Sequence, residues 1–253
     1  MSESVLPINQ IINGDCLDVM KTIPNESIDM IVTSPPYNVG VNYGNYNDNL
    51  GYEDYLNWIN KVWDECFRLL KHGGRICINV GDTGRNPYYP VHCDFVSKMR
   101  KKWFMMGIII WNKQNCLSNT AWGSWMRPSA PSLRGLHEFI IVAGKGDKFF
   151  RKSGKANEWT KREFLDATLE IWNFSPETKL ADHPAPFPEE LPKRCIKLYS
   201  YIDDIILDPF IGSGTTALVA LKLQRRFIGI ELNEEYAKLA RKRVEPWLNQ
   251  IRL

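Results

Sequence analysis

Two short motifs carry residue types suited to chemistry. Ser34-Pro35-Pro36-Tyr37 closes an apolar run over 28–33, and Asp208-Pro209-Phe210-Ile211-Gly212-Ser213-Gly214-Thr215-Thr216 closes another over 205–207. The first offers a hydroxyl, a carbonyl and an aromatic face, a set that can hold a flat base bearing an amino group. The second offers a carboxylate and a glycine turn that opens a helix, a set that can hold a nucleoside cofactor. An exocyclic amine on an aromatic ring is a poor nucleophile, because its lone pair is delocalised. Acceptors for both amino hydrogens favour the pyramidal transition state in which charge develops. The Ser34 hydroxyl and the Pro35 carbonyl are the two candidate acceptors. Pro36 has no N–H to compete with them, and Tyr37 offers a stacking face worth about 1–3 kcal/mol per base.

The second motif has its own logic. Gly212 and Gly214 permit tight backbone geometry, and the helix opened by Thr215 and Thr216 presents amides that favour a carboxylate. The loop lacks the Gly-Lys-Ser/Thr ending of a triphosphate loop, which argues against ATP hydrolysis. Glu231 ends the following apolar run, 227–230, where an acid commonly accepts ribose hydroxyls. Asp15, after Ile11-Ile12-Asn13-Gly14, either faces the same ligand or caps the helix that follows. Six cysteines stand at 16, 66, 77, 93, 116 and 195 with no Cys-x-x-Cys pair, a spacing that argues against a zinc site. None follows a proline, so covalent attack through sulfur is disfavoured.

These motifs need a scaffold that brings two chain-distant loops together. The apolar runs read as buried strands, with further strands expected at 75–80, 106–111, 139–143 and 227–230. Apolar residues at 52, 55, 56, 59, 62, 63, 66, 67 and 70 recur at helical spacing, and residues 71–74 read as a closing turn. Helices are expected at 189–199, 215–223 and 234–247, and the segments 112–134 and 148–172 read as loops. Strands alternating with helices predict an α/β fold, a mostly parallel sheet with helices on both faces. In such sheets ligands bind outside the carboxyl ends of the strands. A chain of 253 residues, 44% hydrophobic and 24% charged, suits one such domain. The N-terminus lacks a signal-peptide pattern, and the apolar stretch 103–111 is far shorter than the ~20 residues that span a bilayer. A cytoplasmic protein is expected.

The ordered pair of motifs resembles the amino-group DNA methyltransferases, and the Ser-Pro-Pro-Tyr form is most similar to their cytosine-N4 branch. Catalytic motif first and cofactor loop last is the order of the permuted beta group. The resemblance runs from Asn13 to Glu231. It implies a circularly permuted Rossmann-like domain that transfers a methyl group from S-adenosyl-L-methionine to a flipped cytosine in double-stranded DNA. It implies cofactor contacts at Asp15, Cys16, Asp208, Pro209, Phe210, Gly212, Ser213, Gly214, Thr215 and Glu231, and at Phe187 within a proline-rich stretch, 183–191, similar to the family's last motif. A separately acting restriction endonuclease and a homodimer belong to the same family picture. Adenine N6 is the nearest alternative target. Methylation of RNA or protein glutamine, whose enzymes usually carry the two motifs in reverse order, and a retired DNA-binding fold are more distant ones.

Charge suggests where nucleic acid would lie. Residues 98–162 hold 14 Lys/Arg against 3 Asp/Glu, leaving 18 basic and 26 acidic residues elsewhere. Such a segment, interleaved with aromatics, fits a phosphate-binding surface, with a target-recognition insertion within 112–175 of one catalytic domain, 1–253. Lys113, Arg127, Arg134, Arg151 and Lys152 are its candidate DNA contacts. DNA affinity should therefore fall steeply with salt, by about 0.9 decades per decade of salt for each phosphate contacted. Titrations at rising ionic strength measure this, and salt-insensitive binding contradicts the basic surface.

Overall fold

The structure, a computed structural model, describes residues 6–38, 50–83, 87–114, 123–124, 126–131, 133, 135–146, 159–177 and 188–251. Its elements, in chain order, are β1 (Gln10–Asn13), α1 (Cys16–Thr22), β2 (Ile28–Thr33), α2 (Tyr52–Leu69), β3 (Leu70–Val80), α3 (Val91–Met99), β4 (Phe104–Asn112) and β5 (His137–Gly144). They continue with α4 (Lys161–Ala167), β6 (Ile171–Asn173), α5 (Glu190–Tyr199), β7 (Ile205–Asp208), α6 (Thr215–Lys222), β8 (Arg226–Glu231) and α7 (Glu234–Ile251). The strands form one sheet in the order β1-β8-β7-β2-β3-β5-β4-β6. Every pairing is parallel except those of β5, which runs against both β3 and β4.

The sheet is covered on both sides, as continuous apolar strands require. All six residues of β2 are buried. Ile31 packs into one layer with Tyr55, Ile59, Val62 and Cys66 of α2, while Met30 and Val32 pack into the other with Cys195 and Ile196 of α5 and Ala217 of α6. The periodicity read over 52–70 is the inner face of α2, whose Tyr55, Leu56, Ile59, Val62, Trp63, Cys66 and Leu69 are buried. Among the described residues, no helix is long and apolar enough to cross a membrane.

Several local expectations change. Residues 71–74 lie within β3 rather than between two elements. Pairing with β2 steps from Ile28↔Leu70 to Met30↔Arg75, so these four residues bulge out opposite Asp29, with Gly73 at φ 84. The turn chemistry is present, but it kinks a strand. Within the supposed loop 148–172, residues 161–167 form α4 and Ile171 begins β6. Helix α4 opens with a reciprocal Thr160–Glu163 capping box. Its apolar Phe164 and Leu165 are exposed and only Ala167 is buried, so no periodic core face announced it. Helix α3 has Val91, Phe95 and Met99 as its buried stripe, a spacing legible in the sequence but short.

Candidate active site

Strands β7 and β2 are neighbours that diverge. From β7 the chain proceeds outward to β8, and from β2 it proceeds the other way to β3, which makes their shared carboxyl end a topological switch point. The Ser34–Tyr37 turn leaves β2 there, and the Asp208–Thr215 loop leaves β7 there. The two motifs that are far apart in sequence thus emerge side by side.

Asp208 joins them. Its Oδ1 accepts hydrogen bonds from Thr33 Oγ1 at 2.7 Å and Phe210 N at 3.0 Å, and its Oδ2 accepts one from Thr216 Oγ1 at 2.7 Å. The residue is 1% exposed. Burial raises its pKa from 3.8 to about 6 against the opposing pull of the two threonine hydroxyls and the Phe210 amide. Both carboxylate oxygens therefore face inward, and Asp208 anchors the loops rather than presenting its carboxylate to a ligand.

Beyond Asp208, Pro209 is buried, and half-buried Phe210 packs against Trp58 of α2, ring centroids 5.8 Å apart. Gly212 at φ 52 and Gly214 at φ 85 make the turn. A Cβ on Gly214 would stand 2.9 Å from Ala240 Cβ, so α7 leaves no room for a side chain. Glu231 holds the turn from β8, its Oε2 accepting from Gly212 N and its Oε1 from Asn233 N, each at 2.9 Å. Burial raises its pKa and these amides oppose the rise. Ser213 and Thr215, only 3% and 4% exposed, face α7 instead of the crevice. Arg243 Nη1 donates to Ser213 O at 3.0 Å, Ser213 Oγ at 3.2 Å and Thr215 Oγ1 at 3.0 Å.

The Asn13–Asp15 turn lies beside Glu231, since Asn13 Nδ2 and Gly14 N both donate to the Glu231 carbonyl, each at 2.9 Å. Asp15 Oδ1 caps α1 through Leu17 N at 2.8 Å and Asp18 N at 3.3 Å, which realises the capping alternative. Cys16 is a core residue, its thiol pushed up to about 12 by burial and then by Asp15.

On the other side, the Ser34–Tyr37 turn is held rigidly. Tyr55 Oη donates to Pro36 O at 2.9 Å, and Asn38, at φ 55, exchanges two 2.8 Å hydrogen bonds with the Leu50 backbone. The Tyr37 ring crosses Gly81, where a Cβ would lie 3.3 Å from its Cε2. Tyr37 Oη donates to Glu138 Oε2 at 3.1 Å and accepts from Asn79 Nδ2 at 3.0 Å. A phenol has one proton, so the 3.1 Å contact between Ser34 Oγ and Tyr37 Oη has Ser34 as donor. The Ser34 oxygen keeps its lone pairs for accepting. Lys113 Nζ ion-pairs with Glu138 Oε1, and the pair is 13% and 19% exposed for Glu138 and Lys113. The charge of Lys113 is thus answered inside the protein rather than offered to a phosphate. Arg127 is exposed. Phe187, Arg134, Arg151 and Lys152 lie outside the described residues.

Sequence reasoning missed Thr33, Asn79, Glu138 and Arg243. Asn79 interrupts the apolar strand 75–80, and Glu138 is one of three acids in the basic stretch; those were the available signals. A DNA methylase family profile, covering N6- and N4-methylating enzymes, matches residues 28–242.

The chain belongs to this amino-DNA methyltransferase family. It is 41% identical to the type II methyltransferase M.MjaVI of Methanocaldococcus jannaschii over 171 residues, 67% of this chain and 87% of that one. It is 31% identical to the DNA adenine methyltransferase YhdJ of Escherichia coli over 248 residues, 93% and 82% of the two chains. The Thermus thermophilus protein TTHA0409, solved with S-adenosyl-L-methionine, superposes with TM-score 0.75 at 32% identity, covering 94% and 95% of the two chains. This methyltransferase uses S-adenosyl-L-methionine and acts on DNA.

The buried carboxylate of this methyltransferase makes a pH prediction. Because the pKa of Asp208 is raised in the folded state, the folded chain binds more protons than the unfolded one between pH 4 and 6. Its contribution to stability therefore falls as pH rises through that window, by at most about 1.4 kcal/mol per pH unit. Asp208→Asn should gain on the wild type from pH 4 to 6.5 and then level off in urea denaturation. A pH-independent difference contradicts this.

Proposed function

We propose that the enzyme methylates the exocyclic N4 amino group of cytosine in double-stranded DNA by base flipping and direct in-line transfer. The observation that carries this reading is the polarity of the Ser34 hydroxyl. Its proton is committed to Tyr37, so its oxygen can only accept, which is what an attacking amine needs. The Pro35 carbonyl is the second acceptor, and the ring of Tyr37 is the stacking face, with its hydroxyl fixed by Asn79 and Glu138. Pro36 stiffens the turn, its carbonyl held by Tyr55.

The residues at the β7–β8 end fit S-adenosyl-L-methionine. Glu231 accepts from the Gly212, Asn233 and Leu232 amides, and a carboxylate with about four lone-pair sites retains one suited to a ribose hydroxyl. The Gly212 and Gly214 turn admits close backbone approach; Ser213, Thr215 and Cys16, whose side chains face inward, contribute through their backbone, beside Pro209, Phe210 and Asp15, with Phe187 added by resemblance. When bound, this cofactor supplies an electrophilic methyl group. The protein's part is to align the amine and exclude water, a positioning effect worth about 7–11 kcal/mol when geometry is good.

The insertion within 112–175, with Arg127, Arg134, Arg151 and Lys152, reads the target on this account, while Lys113 acts from inside through Glu138. The resemblance extends the reading to a cytoplasmic homodimer working beside a separate restriction endonuclease. A second reading, adenine N6, is favoured by the 31% identity to an adenine methyltransferase. Incubating unmethylated DNA with labelled S-adenosyl-L-methionine, followed by nucleoside digestion, decides between them. N4-methylcytosine is expected; N6-methyladenine overturns the cytosine assignment.

A further inference from the structure

Methyl transfer to an amine leaves a proton to remove, and the Ser34–Tyr37 turn contains no carboxylate to take it. The hydrogen bonds described above lead out of that turn in one direction. Ser34 Oγ donates to Tyr37 Oη at 3.1 Å, and Tyr37 Oη donates to Glu138 Oε2 at 3.1 Å. Glu138 stands at the start of β5, the reversed strand, which is why its side chain reaches the carboxyl end of β2.

Resting on the amino-methyltransferase reading, we propose that Glu138 is the proton sink of the reaction, reached from the substrate amine through Ser34 and Tyr37. The surroundings of Glu138 suit that role. Asn79, 2% exposed, donates through Nδ2 to both Tyr37 Oη at 3.0 Å and Glu138 Oε2 at 2.7 Å, so one amide fixes both ends of the last link. Lys113 ion-pairs with Oε1, leaving Oε2 as the oxygen that meets the tyrosine. Gly81 supports the arrangement. A Cβ there would sit 3.3 Å from both Glu138 Cγ and Tyr37 Cε2, so glycine lets the two side chains pack together.

The step balances. The amine lone pair forms the N–C bond while the sulfonium C–S bond breaks with its electrons going to sulfur. The nitrogen, now cationic, gives a proton to Ser34 Oγ as the serine proton passes to Tyr37 Oη and the tyrosine proton to Glu138 Oε2. The carboxylate ends as a carboxylic acid and returns its proton to solvent after product leaves. Sequential hydroxyl relays need only short rotations, and a positioned base contributes about 10²–10⁴-fold. Glu138 acts through Tyr37, so it is a positioning residue in this chain of contacts.

The test is single-turnover methylation of unmethylated DNA by the full-length protein with labelled S-adenosyl-L-methionine, because product release can mask the chemical step. Glu138→Gln should slow transfer at least 100-fold while cofactor and DNA affinities, measured by equilibrium binding, stay within about twofold. Tyr37→Phe keeps the stacking ring, breaks the middle link, and should lose a similar factor. The double variant should be no slower than the worse single one, since both cut one path. Added formate should restore part of the rate to Glu138→Ala and none to Glu138→Gln, whose amide fills the space. Tyr37→Phe carries the test alone if the Glu138 variants fail to fold. A variant of either residue that transfers at the wild-type rate overturns the relay, as does a loss that only tracks weakened binding. A wild type that leaves the DNA unmethylated sinks the parent reading instead.

Discussion

The carboxylate of Asp208 is shared by two threonines from different parts of the chain, and the site depends on that sharing. Strands β2 and β7 pair only at Met30↔Ile206 and Ile31↔Leu207, a short ladder for the centre of a sheet. Side-chain carboxylates extend it at both ends. At the amino end Asp29 of β2 accepts from Ile205 N at 2.9 Å and from Lys71 at 2.8 Å. At the carboxyl end Asp208 of β7 accepts from Thr33 of β2. Removing one donor to a buried acceptor costs about 1–3 kcal/mol. The pKa of about 6 shows that desolvation of Asp208 outweighs its three hydrogen bonds. A group held at that cost is tolerated where it fixes geometry, and here it fixes the spacing of two loops.

Each loop is then braced from its own side by polar groups that are spent on protein. Arg243 and Glu231 immobilise the glycine turn from α7 and β8. Tyr55 and Asn79 immobilise the Ser34–Tyr37 turn from α2 and β3. A preorganised site needs such support, because dipoles fixed before reaction need no reorganisation during it. Lys113 belongs to this inner support. Basic residues counted along a sequence include such internal partners, so the count over 98–162 overstates the charge available to DNA.

The fold was legible where the apolar pattern was long. Helix α2 announces itself by one apolar face at helical spacing, and the strands β2, β7 and β8 by continuous apolar runs that burial on both faces leaves. Helix α4 and strand β6 were hidden, the first because its apolar side chains are exposed and the second because three residues carry no period. That the two motifs meet at one end of the sheet was readable from where they fall on strands. The inward roles of Asp208, Ser213 and Thr215 were not, because a hydroxyl or carboxylate that binds ligand and one that binds protein are spelled alike. Glu138 was hidden for a related reason: its partners come from the turn after β2, from β3 and from the segment after β4, and the sheet brings them together.

One buried carboxylate thus couples the Ser34–Tyr37 turn to the glycine loop, the two elements to which the proposed function assigns base and cofactor. Thr33 lies on the strand of the former and is hydrogen-bonded to the latter through Asp208 Oδ1. Calorimetric titration of S-adenosyl-L-methionine into Thr33→Val probes that coupling without altering either loop. Cofactor affinity should weaken about tenfold, near 1.4 kcal/mol, in a protein that remains folded. Wild-type affinity in that variant would show that the two loops stand independently.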